Sequence, residues 1–341
     1  MYPFQRTGAP RLQDWLRAVA VGSVLTVAAL AALTAGSARA AQDWPQRPVS
    51  VVVPFPAGGS TDTIARMLTA PLNEKLGQPF VVDNKPGATG AIGATFVKRA
   101  PADGYTMLVA SIGVFAVNPF LQKNLGYDPV KDFDLLTVAV RAPNVLVVNP
   151  QFPAKNVQEL VAHMKKNPGK VSFASSGAGS SDHLTAALFW QKTGTDGLHV
   201  PYKGGAPAIS DLLAGQVDVS FQNINAVLQH IRTGKLKALA VTADKRSAVL
   251  PNVTTMAEAG VKEVEVYSWQ GVAAPRGLPA DVKTRLHGAL VGALNDPRMR
   301  QKLSENGFEV VANTPEQFSQ FEAQELQRWK TVIEKGRIVL D

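Results

Sequence analysis

The segment Val51–Arg66, VVVPFPAGGSTDTIAR, constrains the fold more than any other stretch of this chain. The β-branched run Val51, Val52 and Val53 stops at Pro54, and a Pro/Gly/Ser loop follows. A helical pattern begins near Thr61, where Ile64, Leu68, Leu72 and Leu76 repeat every fourth residue and mark one buried face. A strand, a glycine loop and a helix N-terminus in this order aim free backbone N–H groups at an anion. The loop has neither the lysine of a phosphate-binding P-loop nor the G-x-G-x-x-G spacing of a dinucleotide site. It suits a small anionic or polar ligand and offers no chemistry to perform on it.

The same alternation continues along the chain. Strands are expected at Val49–Val53, Phe80–Asp83, Tyr105–Ala110, Val145–Asn149, Val171–Ala174, Leu198–Pro201, Val217–Phe221 and Leu236–Thr242. Helices are expected at Thr61–Leu76, Ala88–Arg99, Val157–Asn167, Ser181–Lys192, Ala206–Ala214 and Ile224–Thr233. Pro71 is expected to kink the first helix. The pattern is that of an α/β protein with largely parallel sheets. The last part is mainly helical: Ala280–Asn295, Pro297–Asn306 and Pro315–Lys335, with a short strand at Phe308–Ala312. Thr314 and Gln317 have capping-box spacing before the final helix. The breaks near Arg141–Asn144 and Tyr267–Gly271 read as two crossovers between lobes. The expected domains are 41–142 plus 267–341, and 143–266, after a signal at 1–40. Two connections between lobes make a hinge, and ligands favour the cleft between.

The N-terminus reads as an export signal. Arg6, Arg11 and Arg17 precede the apolar stretch Ala18–Ala35, and Ala38-Arg39-Ala40 supplies a small-x-small cleavage pattern. A membrane anchor is the alternative reading. The chain has no cysteine, hence no disulfide and no thiol for a lipid. A periplasmic location follows as the expectation. The formal charge of +8 shrinks once residues 1–40 are set aside, because they hold four basic residues and one acidic. The remainder carries 31 Lys+Arg against 26 Asp+Glu, a net +5, scattered without a stripe. That argues against nucleic-acid binding and fits mild attraction of an anionic solute.

Two further loops repeat the opening device. Val171–Leu184, VSFASSGAGSSDHL, is again strand, Gly/Ser loop and helix start, with Ser180 or Ser181 as the bland reading of a helix cap. Tyr202–Pro207, YKGGAP, follows a strand and precedes a helix, and its amides would complete an anion nest. Lys203 either adds charge to it or is simply solvated. Asp62 either accepts from a ligand or caps its helix. The histidines His163, His183, His199, His230 and His287 lack metal spacing, and the loop at Gly177 lacks the G-x-S-x-G elbow. A hydrolase built on Ser180, Ser181 and His183 lacks an orienting third group. Asp132 and Asp134 read as solvated. No catalytic residue, cofactor or metal is expected.

The stretches WPQRPVSVVVPFPAGGSTDTIAR (44–66), PFVVDNKPGATGAIGATFVKRAPADGYTMLVAS (79–111), NPFLQKNLGYDPVKDF (118–133), FASSGAGSSDHL (173–184), VPYKGGAPAISDLLAGQVDVSF (200–221) and TTMAEAG (254–260) together carry a resemblance. The chain resembles the Bug family of periplasmic solute-binding proteins, the extracytoplasmic receptors of tripartite tricarboxylate transporters. The resemblance implies a two-lobe, type II-like Venus-flytrap fold that closes on a small carboxylate held by backbone amides and water. It implies a monomer that hands its ligand to a membrane permease, or, on the same fold, a sensor that presents it to a signalling receptor. Carried over by position, the site comprises Phe55, Ala57, Gly58, Gly59, Thr61 and Asp62, with Phe55 covering the ligand, then Ser111 and Asn118. The second lobe supplies Ser176, Gly177, Gly179, Ser180, Ser181, His183, Lys203, Gly204, Gly205, Ala206 and Asn223. Where family members often show Phe-Asp-Asn, this chain has Phe221-Gln222-Asn223. A neutral residue at 222 favours an anionic ligand, if that position faces the cleft.

Overall fold

The computed structural model describes Trp44–Gly336 and Ile338. The export segment expected at residues 1–40 lies outside the described residues. Residues from Arg47 onward form one unit, built on a mixed sheet whose strands run in the order Phe80–Asn84, Val49–Val53, Thr106–Ser111, Tyr267–Pro275, Phe133–Val148, Val219–Asn223, Ser172–Ser175 and Leu198–Pro201, with Lys237–Val241 and Glu309–Val310 also paired to Phe133–Val148.

The first half of the fold begins with β1 (Val49–Val53), whose β-branched side chains suit a buried strand. Helix α1 (Ser60–Leu76) follows and runs through Pro71 as a single element. Next come β2 (Phe80–Asn84), α2 (Ala91–Lys98) and β3 (Thr106–Ser111). Strands β1, β2 and β3 are parallel. A single π turn (Gly113–Val117) leads from β3 into the short helix α3 (Asn118–Leu121).

The long strand β4 (Phe133–Val148) departs from expectation. Only its second half is expected as a strand, because Pro143 and Asn144 look like a break. They are extended chain instead. Phe133–Pro143 pairs antiparallel with β9 (Tyr267–Pro275), whereas Asn144–Val148 pairs with β7 (Val219–Asn223). Pro143 has no N–H to give a ladder and falls where the partners change. The sheet is therefore mixed rather than largely parallel: β3–β9, β4–β9, β4–β7 and the pairing of β4 with β8 (Lys237–Val241) are all antiparallel.

The second half contains α4 (Val157–Lys166), β5 (Ser172–Ser175), α5 (Ser181–Thr193), β6 (Leu198–Pro201), α6 (Gly205–Leu213), α7 (Ile224–Arg232) and β8 (Lys237–Val241). After β9 the chain adds α8 (Ala280–Leu294), α9 (Pro297–Glu305), β10 (Glu309–Val310) and α10 (Pro315–Gly336) to the first half. The expected capping box is present: Gln317 N–H donates to Thr314 Oγ1 at 3.2 Å, and Thr314 N–H donates to Gln317 Oε1 at 3.0 Å.

Each half has its own aromatic nucleus. Phe115, Trp269 and Phe318 pack with ring centroids 5.5–5.8 Å apart in the first. Phe173, Phe189 and Phe221 do so at 5.6–6.5 Å in the second. All six side chains are fully buried, and such rings dominate core energetics. Asp132 and Asp134 are not solvated as expected. Asp134 is buried and accepts from the N–H groups of Gly277 and Leu278 at 2.8 and 2.9 Å. Asp132 accepts from Asp128 N–H at 2.6 Å and pairs with Lys98 at 2.8 Å.

Candidate functional site

The three glycine loops lie at the C-terminal ends of parallel strands, where open α/β sheets hold ligands. In the first, Gly58 takes φ +83°, a left-handed conformation that favours glycine. Asp62 folds back beneath it. Its Oδ2 accepts from Gly58 N–H at 2.9 Å and from Arg66 Nε at 2.9 Å, and its Oδ1 accepts from Asn84 Nδ2 at 3.0 Å. Burial pushes this carboxyl up, but the hydrogen bonds from Arg66, Gly58 and Asn84 outweigh it and hold the group below its ordinary value. Asp62 thus buttresses the loop from behind. The N–H groups of Gly59, Ser60 and Thr61 make no hydrogen bond to another described residue. They are the loop's available donors, and Ala57, Gly58 and Gly59 are exposed.

The second loop repeats the arrangement. Gly59-Ser60-Thr61-Asp62 and Gly179-Ser180-Ser181-Asp182 share the pattern G-S-[ST]-D, each spanning a helix start. Asp182, absent from the residues singled out by sequence, accepts from Ser176 N–H at 2.9 Å and from Ser176 Oγ, and from Ser181 Oγ at 3.2 Å. It is 2 % exposed, and burial pushes it above its ordinary value despite those bonds. Ser180 caps α5, accepting from His183 N–H at 3.3 Å.

Several expected donors are spent inside the protein. Gly179 N–H donates to His183 Nδ1 at 3.1 Å, Gly177 N–H to Ser175 Oγ at 3.2 Å and Gly204 N–H to Ser176 O at 3.0 Å. His183 is 5 % exposed and stacks on His199 with ring centroids 3.7 Å apart. Burial, then the neighbouring His199, pushes its pKa down to about 3, so it stays neutral and keeps the Nδ1 acceptor. Its Nδ1 accepts from Gly179 and so is not offered to Ser180 or Ser181. Asn118 is likewise committed: its Nδ2 donates to Thr89 O and Tyr127 Oη, both at 3.1 Å. Asn223 donates to Asn144 Oδ1 at 2.5 Å and Ser181 Oγ at 3.2 Å.

Phe55 is half-buried beside Gly90, where a Cβ would come within 3.3 Å of its ring. Ser111 closes β3, Lys203 and Ala206 are exposed, and Gly205 opens α6. The two halves meet at these loops. Ser60 Oγ lies 3.4 Å from Asn225 Oδ1. A Cβ on Gly179, which has φ +77°, would stand 2.8 Å from Leu121 and 3.4 Å from Val117 of the first half. Among the described residues, no group of three or more His, Asp or Glu is placed to hold a metal ion. No helix among them is long and apolar enough to cross a membrane.

Two α/β halves joined through β4 and β9, each opening a helix with a G-S-[ST]-D step, form a two-lobe fold of the solute-binding kind. Residues 64–338 match the tripartite tricarboxylate transporter family receptor profile, and the chain belongs to that family. It is 39 % identical over 313 residues to protein BugT of Bordetella pertussis, spanning 91 % of this chain and 96 % of that one. Among solved structures it is similar to R. palustris Rpa4515 with adipate (38 % identity, TM-score 0.84, 87 % of this chain and 100 % of that one). It is also similar to MatC from Rhodopseudomonas palustris with bound malate (34 %, TM-score 0.80, 85 % and 100 %).

Proposed function

We propose that this chain is a periplasmic receptor that captures a small carboxylate between its lobes and delivers it to a membrane permease. The observation that carries the reading is the pair of G-S-[ST]-D loops, one per lobe, with the lobes in contact where Ser60 Oγ of the first loop lies 3.4 Å from Asn225 Oδ1 of α7. The unpaired N–H groups at Gly59–Thr61 sit at the positive end of α1, where a carboxylate is favoured. Adipate and malate in the two related structures support the ligand class. The export pattern at Ala38–Ala40 supports the location. Closure works because the ligand contacts both lobes only when they are together, which shifts the population toward the closed state. The strands crossing at Pro143/Asn144 and at Tyr267 serve as the hinge, separating a lobe of 41–142 plus 267–341 from one of 143–266.

A thermal-shift screen of the purified protein against a carboxylate library tests this. A ligand at a hundred times its Kd stabilises by about 2.7 kcal/mol, so a true ligand raises Tm by several degrees. Gly179→Val, strained at φ +77° and colliding with Leu121, is expected to lose that response. Absence of any responding carboxylate, or a full response in the valine variant, refutes the assignment.

A further inference from the structure

Hydrogen-bond polarity in the second lobe can be followed one proton at a time. Ser220 is fully buried in β7, and its hydroxyl donates to Ala174 O at 2.6 Å. A hydroxyl has one proton, so toward Gln222 the Ser220 oxygen only accepts. The amide nitrogen of Gln222 therefore faces it, at 2.9 Å. The other end of that amide, Oε1, is thereby fixed as an acceptor. It lies beside Gly205, where a Cβ would stand 3.4 Å from it. The same Cβ would stand 3.2 Å from Ser176 Oγ. The Ser176 hydroxyl proton is committed too, to the carboxylate of Asp182. Two oxygens from separate elements, both with lone pairs and neither with a proton to offer, thus converge on one side of Gly205. These two oxygens offer a carboxylate no proton, whereas a hydroxyl finds an acceptor in them.

We propose that Gln222 is a specificity-determining residue of the cleft: its Oε1, with Ser176 Oγ, accepts a hydroxyl proton from the ligand and selects a hydroxycarboxylate over its unsubstituted analogue. The proposal rests on the reading of the cleft as a carboxylate site. The carboxylate goes to the N–H groups that open α1, whose Ser60 Oγ lies 3.4 Å from Asn225 Oδ1, three residues along the chain from Gln222. A hydroxyl fits better than an ammonium group. Gln222 and Ser176 are uncharged, and the nearby Asp182 carboxylate already takes three donors.

Calorimetric titration with matched pairs tests it: succinate and malate, glutarate and 2-hydroxyglutarate, adipate and 2-hydroxyadipate, with aspartate and glutamate as ammonium counterparts. One hydrogen bond to a buried acceptor is worth roughly tenfold. The wild-type protein is expected to prefer the hydroxy member by about that factor at the chain length that fits. In Gln222→Met the ratio falls toward one. In Ser220→Ala it also falls, because the amide is released to turn its NH2 toward the cleft, although Ser220 does not reach the ligand. An equal affinity within every pair, a preference that survives in Gln222→Met, or a preference for the amino member overturns the proposal alone. Failure of every carboxylate to bind overturns it together with the carboxylate reading.

Discussion

Asp62 and Asp182 follow the same G-S-[ST] step and both fold back onto a loop N–H, yet their surroundings push them in opposite directions. Asp62 has Arg66 at 2.9 Å and lies below its ordinary value; Asp182 has hydroxyls and backbone only and lies above it. The sign follows from linkage. The stabilising contribution of Asp62 is complete above the unfolded carboxylate range and is lost as pH falls through its depressed folded value. Asp182 does the reverse: the folded state keeps a proton that the unfolded chain has released, so stability declines as pH rises from the unfolded value to the raised folded one. Asp62→Asn is expected to be less stable than wild type at pH 7, with the gap closing in acid. Asp182→Asn is expected to flatten the decline above pH 4. Denaturant unfolding from pH 3.5 to 7 measures both, and parallel profiles for the two variants would sink the assignment. The repeated motif is legible in the sequence, but its consequence is not. The residues around Gly58 and Gly179 look like ligand donors, and only the folded loop shows their N–H groups spent on Asp62 and His183. Asp182 hides in the same way, since an acid in a first helical turn is normally just a dipole partner.

Short elements with strong periodicity are where the sequence speaks most clearly: β1 and β6 match their expected bounds residue for residue, and α1, α4 and α5 begin within one residue of theirs. The first half of β4 is missed because Arg141-Ala142-Pro143-Asn144 carries loop residues while its strand character is imposed by β9 and β7 on either side. The joint between β9 and α10 is equally hidden. Glu325 on α10 is 7 % exposed, and its Oε2 accepts from Trp269 Nε1 at 2.9 Å and Trp329 Nε1 at 3.0 Å. One carboxylate thereby satisfies two buried indoles from different elements. Glu325→Ala leaves both unpaired, and at about 1–3 kcal/mol for each buried donor the expected loss is about 2–6 kcal/mol. Glu325→Gln keeps an acceptor and loses less. Urea unfolding reads the difference as a lower midpoint at unchanged m. Equal losses in the two variants would mean that the side chain acts by packing alone.

For the molecule as a whole, affinity depends on how often the lobes stand in the binding arrangement. A chain of contacts runs across the crossover. Asp244, just beyond β8, accepts from Tyr267 Oη at 2.5 Å at the start of β9. Arg141 of β4 lies over the Tyr267 ring, 4.2 Å from its centroid, and pairs with Glu309 of β10 at 2.8 Å. The first link comes from the segment after β8 and the last from β10, so the tie spans the connection between the two halves. Tyr267→Phe removes the bond to Asp244 and keeps the ring beneath Arg141. The closed population then falls, and because no ligand contact is touched, every ligand weakens by the same factor. One charge-assisted hydrogen bond is worth about 1.5–3 kcal/mol, which sets roughly tenfold as the scale of that factor. Titration of several carboxylates against the variant gives the factor for each. Small-angle scattering of the unliganded protein is expected to show a larger radius of gyration than wild type. Unequal factors across ligands would place Tyr267 in the recognition site itself, and unchanged affinities with unchanged scattering would mean that the tie carries no share of closure.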